Sequence, residues 1–143
     1  MDVESVSRLR RAISRLARQL NAESTDEGLT PSQASVLGQI SASGPLGIRE
    51  LGEREGLNPT MLSRVIGKLE EAGLITRTPH PDDLRAALVA ATAKGRRLSQ
   101  QIRARRNESM AACVASLSET DAKALAGALA ALEALEEAMR HRR

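Results

Sequence analysis

The strongest constraint on this chain is the punctuation Gly56-Leu57-Asn58-Pro59, which separates two short apolar periodicities and leaves room only for a tight turn between them. Upstream, Ile48-Arg49-Glu50-Leu51-Gly52-Glu53-Arg54-Glu55 has apolar residues three apart and halts at Gly56, a residue able to take the left-handed conformation that closes a helix. Downstream, Asn58 offers a side-chain acceptor to the free amides of a new helix, and Pro59 fits its first position, where no donor is missed. Leu62, Val65, Ile66 and Leu69 then follow the i, i+3, i+4, i+7 rule, which puts Thr60, Arg64, Gly67 and Glu71 on the opposite face, flanked by Ser63 and Lys68. One face packs and the other is free to touch something. Gly52, without a side chain, lets the second helix cross the first closely, so the pair reads as a helix-turn-helix.

The second helix is expected to end at Ala72-Gly73. Residues 74–78 read as a strand, Pro79-His80-Pro81-Asp82-Asp83 as a turn cluster, and residues 86–91 as the return strand. A hairpin directly after a helix-turn-helix is a wing. With these pieces in place the chain resembles the multiple-antibiotic-resistance regulator (MarR) family of winged helix-turn-helix transcription factors. The residues that carry the resemblance are Leu29-Thr30-Pro31-Ser32-Gln33, Ile48-Arg49-Glu50-Leu51, Ser63-Arg64, Leu69-Glu70, Gly73-Leu74-Ile75, Arg77, the wing-tip Asp83-Leu84-Arg85 and Thr92-Ala93-Lys94-Gly95. It extends over nearly the whole chain. Two departures stand out: Leu84 sits where an Arg is common and Ala91 replaces the usual Leu, which implies fewer wing contacts than in a typical member.

The expected fold is mainly α with a small β-hairpin. A single domain over residues 1–143 would comprise an N-terminal dimerisation helix and loop (1–28), the winged helix-turn-helix (29–95) and C-terminal dimerisation helices (96–143). At that length a folded chain buries roughly 70% of its unfolded surface, so no metal or disulfide staple is required. The formal charge of +3 and pI near 9.7 allow an anionic partner without demanding one, because acidic residues accompany the basic ones throughout. One cysteine precludes an intrachain disulfide, the first residues lack a secretion signal, and no apolar run is long enough to span a bilayer; the expectation is a cytoplasmic protein with no membrane partner. Phe, Tyr and Trp are absent. Single-stranded nucleic acid is held by stacking on such rings, whereas duplex recognition needs none.

Within the N-terminal segment Val6, Leu9, Ile13, Leu16 and Leu20 recur in steps of three and four, a narrow seam suited to helix pairing. Arg8, Arg10, Arg11, Arg15 and Arg18 on the same helix read as a solvated face. After the loop Glu23-Ser24-Thr25-Asp26-Glu27-Gly28, Thr30 and Gln33 form a capping box around Pro31, opening a helix whose Val36, Leu37 and Ile40 point inward. Ser41-Ala42-Ser43-Gly44-Pro45 reads as a loop. From Thr92 the chain reads as helical almost to its end. Ser118 with Asp121 supplies an N-cap, and Leu125, Leu129, Leu132, Leu135 and Met139 form a second seam. The two seams together predict a homodimer.

Candidate DNA-binding residues follow from where the polar side chains fall. Free amides and the helix dipole favour phosphate at a helix N-terminus, so Asn58 and Thr60 are expected to anchor the backbone while the second helix lies in the major groove. Arg64 is the best candidate for a base, since a guanidinium can donate two bonds to guanine; Ser63 can bond a base or a phosphate. The competing reading of Arg64 is a surface ion pair with Glu71. Arg85 in the wing can enter the minor groove, with Asp83 holding the turn or orienting it. Arg77 can meet phosphate or pair with Asp82 or Asp83. A two-fold dimer would require an approximate palindrome of double-stranded DNA with half-sites roughly 10 bp apart.

Other chemistry is poorly supported. Cys113, among apolar neighbours and without an adjacent basic residue, reads as an inert thiol. His80 and His141 share no metal-binding spacing with it, and no nucleotide-binding, metalloprotease or hydrolase motif occurs, so neither a cofactor, a metal nor an enzyme is expected. The resemblance implies a regulator, expected to be a repressor, whose DNA affinity a small-molecule effector alters; the residues themselves name no ligand site. The alternatives are an architectural DNA-binding protein without a preferred site and a helical protein-interaction scaffold.

Overall fold

A computed structural model describes residues 1–22, 28–83 and 85–142. The elements in chain order are α1 (Val3–Ala22), α2 (Pro31–Ser43), β1 (Leu46–Gly47), α3 (Ile48–Glu55), α4 (Pro59–Glu71), β2 (Ile75–Pro79), β3 (Ala87–Ala91), α5 (Ala93–Ala115), α6 (Glu119–Gly127) and α7 (Leu129–Arg140). They fall into two compact units, Met1–Arg106 and Asn107–Arg143. The expected loop at residues 23–28 lies, apart from Gly28, outside the described residues, as does Leu84 of the wing.

In the first unit the helices start where local chemistry supplies caps. Asp2 accepts the Ser5 amide at 2.7 Å ahead of α1, and that hydrogen bond holds the Asp2 carboxyl below its ordinary pKa. Thr30 and Gln33 close a complete capping box on α2, the Gln33 amide donating to Thr30 Oγ1 (3.2 Å) and the Thr30 amide to Gln33 Oε1 (3.0 Å). The expected loop at residues 41–45 is shorter than the sequence suggested. Helix α2 continues to Ser43, and after Gly44 and Pro45 the chain forms β1, a two-residue strand. Leu46 pairs with Val89 and Gly47 with Leu88, making the hairpin a three-stranded antiparallel sheet in the order β1-β3-β2.

The core gathers the inner faces of these elements. Val36, Leu37 and Ile40 of α2, Leu51 of α3, Ile66 and Leu69 of α4, Ile75 of β2 and Val89 of β3 are almost fully buried, and Ile102 of α5 joins them. Each such side chain stabilises the fold by about 1.5 to 3 kcal/mol relative to exposure. Glycine permits a close backbone approach in this unit. A Cβ on Gly95 would overlap the carbonyl oxygen of Leu74, lie 2.9 Å from its carbon and press on Leu37 Cδ1 at 3.3 Å, so α5 rests directly on the backbone at the root of the hairpin. The expected seam of α1 is largely open among the described residues: Val6 and Leu16 are each 51% exposed, while Leu9 and Leu20 are half-buried.

In the second unit, the Asp121 amide donates to Ser118 Oγ (3.1 Å) and starts α6 as expected. The helix stops at Gly127, and α7 begins at Leu129 after a turn at Ala128, so Leu125 belongs to one helix and Leu129, Leu132, Leu135 and Met139 to the next. Leu125, Leu129 and Met139 are exposed. Cys113 is exposed too, so burial is not what would keep its thiol inert. Among the described residues no helix is long and apolar enough to cross a membrane.

Candidate nucleic-acid interface

The turn between α3 and α4 is built as its residues dictate. Gly56 takes φ +62°, ψ +29°, and Leu57 donates its amide to the Gly52 carbonyl at 3.1 Å, a tight helix ending. Asn58 Oδ1 accepts the Met61 amide at 2.9 Å and caps α4, with Pro59 in its first turn. The crossing relies on Gly52, where an added Cβ would meet Leu62 Cδ2 at 3.0 Å.

Leu62, Val65, Ile66 and Leu69 bury one side of α4, leaving Thr60, Ser63, Arg64, Lys68 and Glu71 exposed. Glu71 pairs with Lys68 at 3.5 Å and not with Arg64. Arg64 makes no hydrogen bond or ion pair with any described residue, so its guanidinium is available to an outside acceptor. Gly67 lies in line with Thr60, Arg64 and Glu71. A Cβ placed on it would meet nothing within 4 Å, and its φ is not positive. A glycine inside a helix costs about 1 kcal/mol relative to alanine, and neither packing nor backbone conformation among the described residues offsets that here. Asn58 spends its side-chain oxygen on the cap, which leaves its amide NH2 as the group able to donate outward. The terminus also carries the partial positive charge of the helix dipole.

The wing is fixed at both ends by short bonds. At its root Thr92 donates its amide to the Leu74 carbonyl (3.0 Å) and its hydroxyl to the Gly73 carbonyl (2.7 Å), while the Gly95 amide donates back to Thr92 Oγ1 (3.0 Å). Lys94 Nζ donates to the Ala72 carbonyl at 3.0 Å, satisfying a carbonyl at the end of α4. Five residue pairs join β2 to β3, from Ile75 opposite Ala91 to Pro79 opposite Ala87. Beyond them Asp83 Oδ1 accepts the Arg85 amide at 2.9 Å, its carbonyl accepts the Ala86 amide at 3.0 Å, and His80 Nδ1 accepts the Asp82 amide at 3.1 Å. Arg85 is exposed beside that turn. Arg77 points elsewhere than the sequence suggested: its Nε lies 3.5 Å from Glu70 Oε2 of α4, and neither Asp82 nor Asp83 is its partner. Glu70 was missed because the pair spans two elements, and only the i to i+7 separation across a helix end hints at it.

The N-terminal arginines sit apart from this interface in the sequence. Arg10, Arg11, Arg15 and Arg18 line a shallow groove with Ser14, and none is paired with a carboxylate of the described residues.

Comparison with known proteins agrees with this architecture. The sequence profile of the MarR family matches residues 29–87, from just before α2 to the first residue of β3. An HTH-type transcriptional regulator of Mycobacterium tuberculosis is 32% identical over 120 residues, covering 84% of each chain. The HTH-type transcriptional repressor MdtR of Bacillus subtilis is 30% identical over 95 residues, 66% of this chain and 61% of that one. Among solved structures, RV1404 from Mycobacterium tuberculosis superposes with a TM-score of 0.76 at 29% identity, covering 93% of both chains. With the family's profile matched across the helix-turn-helix and a regulator 32% identical over 84% of its length, the chain belongs to the MarR family, whose members are transcriptional regulators and not enzymes.

Proposed function

We propose that this regulator binds duplex DNA as a homodimer, laying α4 in the major groove and the wing-tip Arg85 against the adjacent minor groove, and that it acts as a repressor. The observation that carries the reading is Arg64: exposed, unpaired among the described residues, and set on the polar face of a helix whose other face is locked in the core. A guanidinium so held can donate two parallel bonds to the O6 and N7 of guanine without breaking a prior partnership. Ser63 stands one residue away for a base or phosphate, and Asn58 and Thr60 meet phosphate at the helix start. Asp83 keeps the Arg85 backbone in its turn and binds no DNA. Arg77, in a loose surface pair with Glu70, exchanges that partner for phosphate at little cost.

Homodimerisation is supported by the exposed apolar positions Val6, Ile13 and Leu16 of α1 and Leu125, Leu129 and Met139 of α6 and α7, which a monomer leaves in water. Repression is supported by the likeness to MdtR. A small-molecule effector, which the family resemblance implies, would act by favouring a dimer state with a different distance between the two reading helices. The test is selection of bound sequences from a random duplex pool at physiological salt. The expected result is an approximate palindrome with half-sites roughly 10 bp apart. Enrichment of no sequence would leave a non-specific DNA-binding protein, and failure to bind duplex at low salt a protein-interaction scaffold; either result refutes the proposal.

A further inference from the structure

Among the glycines of the first unit, Gly28, Gly44, Gly56 and Gly73 are explained by a positive φ, Gly52 by the crossing of Leu62 and Gly95 by the Leu74 backbone, whereas Gly38, Gly47 and Gly67 have neither reason. Of these three, Gly67 is the one on helix α4. It stands in the ninth position of the 13-residue helix α4, has no positive φ, and among the described residues has no atom waiting to meet a Cβ. Its place is the line Thr60, Arg64, Gly67, Glu71 along the exposed face, where Arg64 precedes it by one turn and Glu71 follows by one. No contact or backbone conformation among the described residues calls for a bare backbone at that point.

We propose that Gly67 determines specificity: its missing side chain leaves a methyl-sized notch in the centre of the α4 reading face, and the notch receives the C5-methyl of a thymine. This rests on the reading that α4 enters the major groove. Of the groups that base edges present there, the thymine methyl is the one apolar projection, and it is met by apolar contact and not by hydrogen bonds. A bare Gly Cα on the helix face that also carries Arg64 offers such a surface at backbone depth. Any side chain at residue 67 would hold the helix away from that methyl and, with it, lift Arg64 and Ser63 from neighbouring bases.

The test is a methyl exchange between protein and DNA. Gly67→Ala is expected to lose roughly tenfold in affinity for the operator recovered with the wild-type protein, the scale of a single mismatched base pair, while non-specific affinity is unchanged. Deoxyuracil, which differs from thymidine only by the missing methyl, is then placed at each operator thymine in turn. At one position it restores Gly67→Ala to within about twofold of its wild-type value and weakens the wild-type protein. Gly38→Ala makes the same change in α2, where a Cβ also meets nothing, and controls for helix stiffening. Both variants are expected to melt about 3 °C above wild type, which excludes misfolding as the cause of lost binding. Wild-type affinity in Gly67→Ala, or a loss that no uracil position restores, overturns the inference. If the wild-type protein selects no operator, the larger reading falls with it; if it selects one to which Gly67→Ala is indifferent, only the notch falls.

Discussion

Gly95→Ala tests how the reading elements are attached to the rest of the fold. The added methyl overlaps the Leu74 carbonyl oxygen and sits 2.9 Å from its carbon, and no side-chain rotation relieves a clash with backbone. Leu74 cannot yield freely either, because the same carbonyl accepts the Thr92 amide. Overpacking of this kind costs about 2 to 3 kcal/mol. Displacing α5 or the strand also loses one or two of the bonds among Leu74, Thr92 and Gly95, about 1 kcal/mol each. Against this stands a gain of up to about 1 kcal/mol from replacing glycine in a helix. The net is a loss of about 3 kcal/mol, which for a chain of this size lowers Tm by roughly 10 °C. With no Trp, Tyr or Phe to report by fluorescence, the measurement is far-UV circular dichroism or calorimetry at fixed protein concentration. Gly52→Ala is the matched comparison. Its methyl would press on the end of the Leu62 side chain at 3.0 Å and lie at ordinary contact distance, 3.6 Å, from the Leu57 carbonyl oxygen, and the expected change stays within about 1 kcal/mol. A Gly95→Ala protein as stable as wild type, or a Gly52→Ala protein equally damaged, would refute this account of the α5 contact.

Three further outcomes are expected. Arg64→Ala should weaken specific binding by about 1 to 3 kcal/mol and relax one operator position in repeated pool selection, with non-specific affinity little changed. Arg85→Ala should lower affinity for all duplexes and reduce the slope of log K against log salt by about 1, read from titrations across salt concentrations. Thr30→Ala removes one half of the capping box on α2 and should cost about 1 kcal/mol in urea unfolding without altering operator preference.

What the sequence made legible was local. Gly56, Asn58-Pro59, Thr30 with Gln33 and Ser118 with Asp121 each act within four residues, so their caps and turns follow from side-chain chemistry alone. The face of α4 was readable for the same reason, since Leu62, Val65, Ile66 and Leu69 repeat at the helical period. Strand β1 was not readable, because two residues gain strand character only by pairing with Val89 and Leu88 some forty positions later. The Arg77 to Glu70 pair has the same origin: it depends on how β2 leaves α4, a geometry no periodicity encodes. The break between α6 and α7 was hidden by alanine, which supports helix on both sides of Gly127 and blurs the stop. Within the candidate interface, positions followed from pattern, whereas the lack of a partner for Arg64 among the described residues required knowing that Glu71 turns to Lys68.

The bonds that meet at Thr92 also govern how motion can pass through the molecule. Ala72 and Gly73 at the end of α4, Leu74 at the entry to the hairpin, and Lys94 and Gly95 at the start of α5 are all fastened within one turn of backbone. Displacing the start of α5 would therefore strain the end of α4 and the entry to the hairpin together, because the same few bonds hold all three.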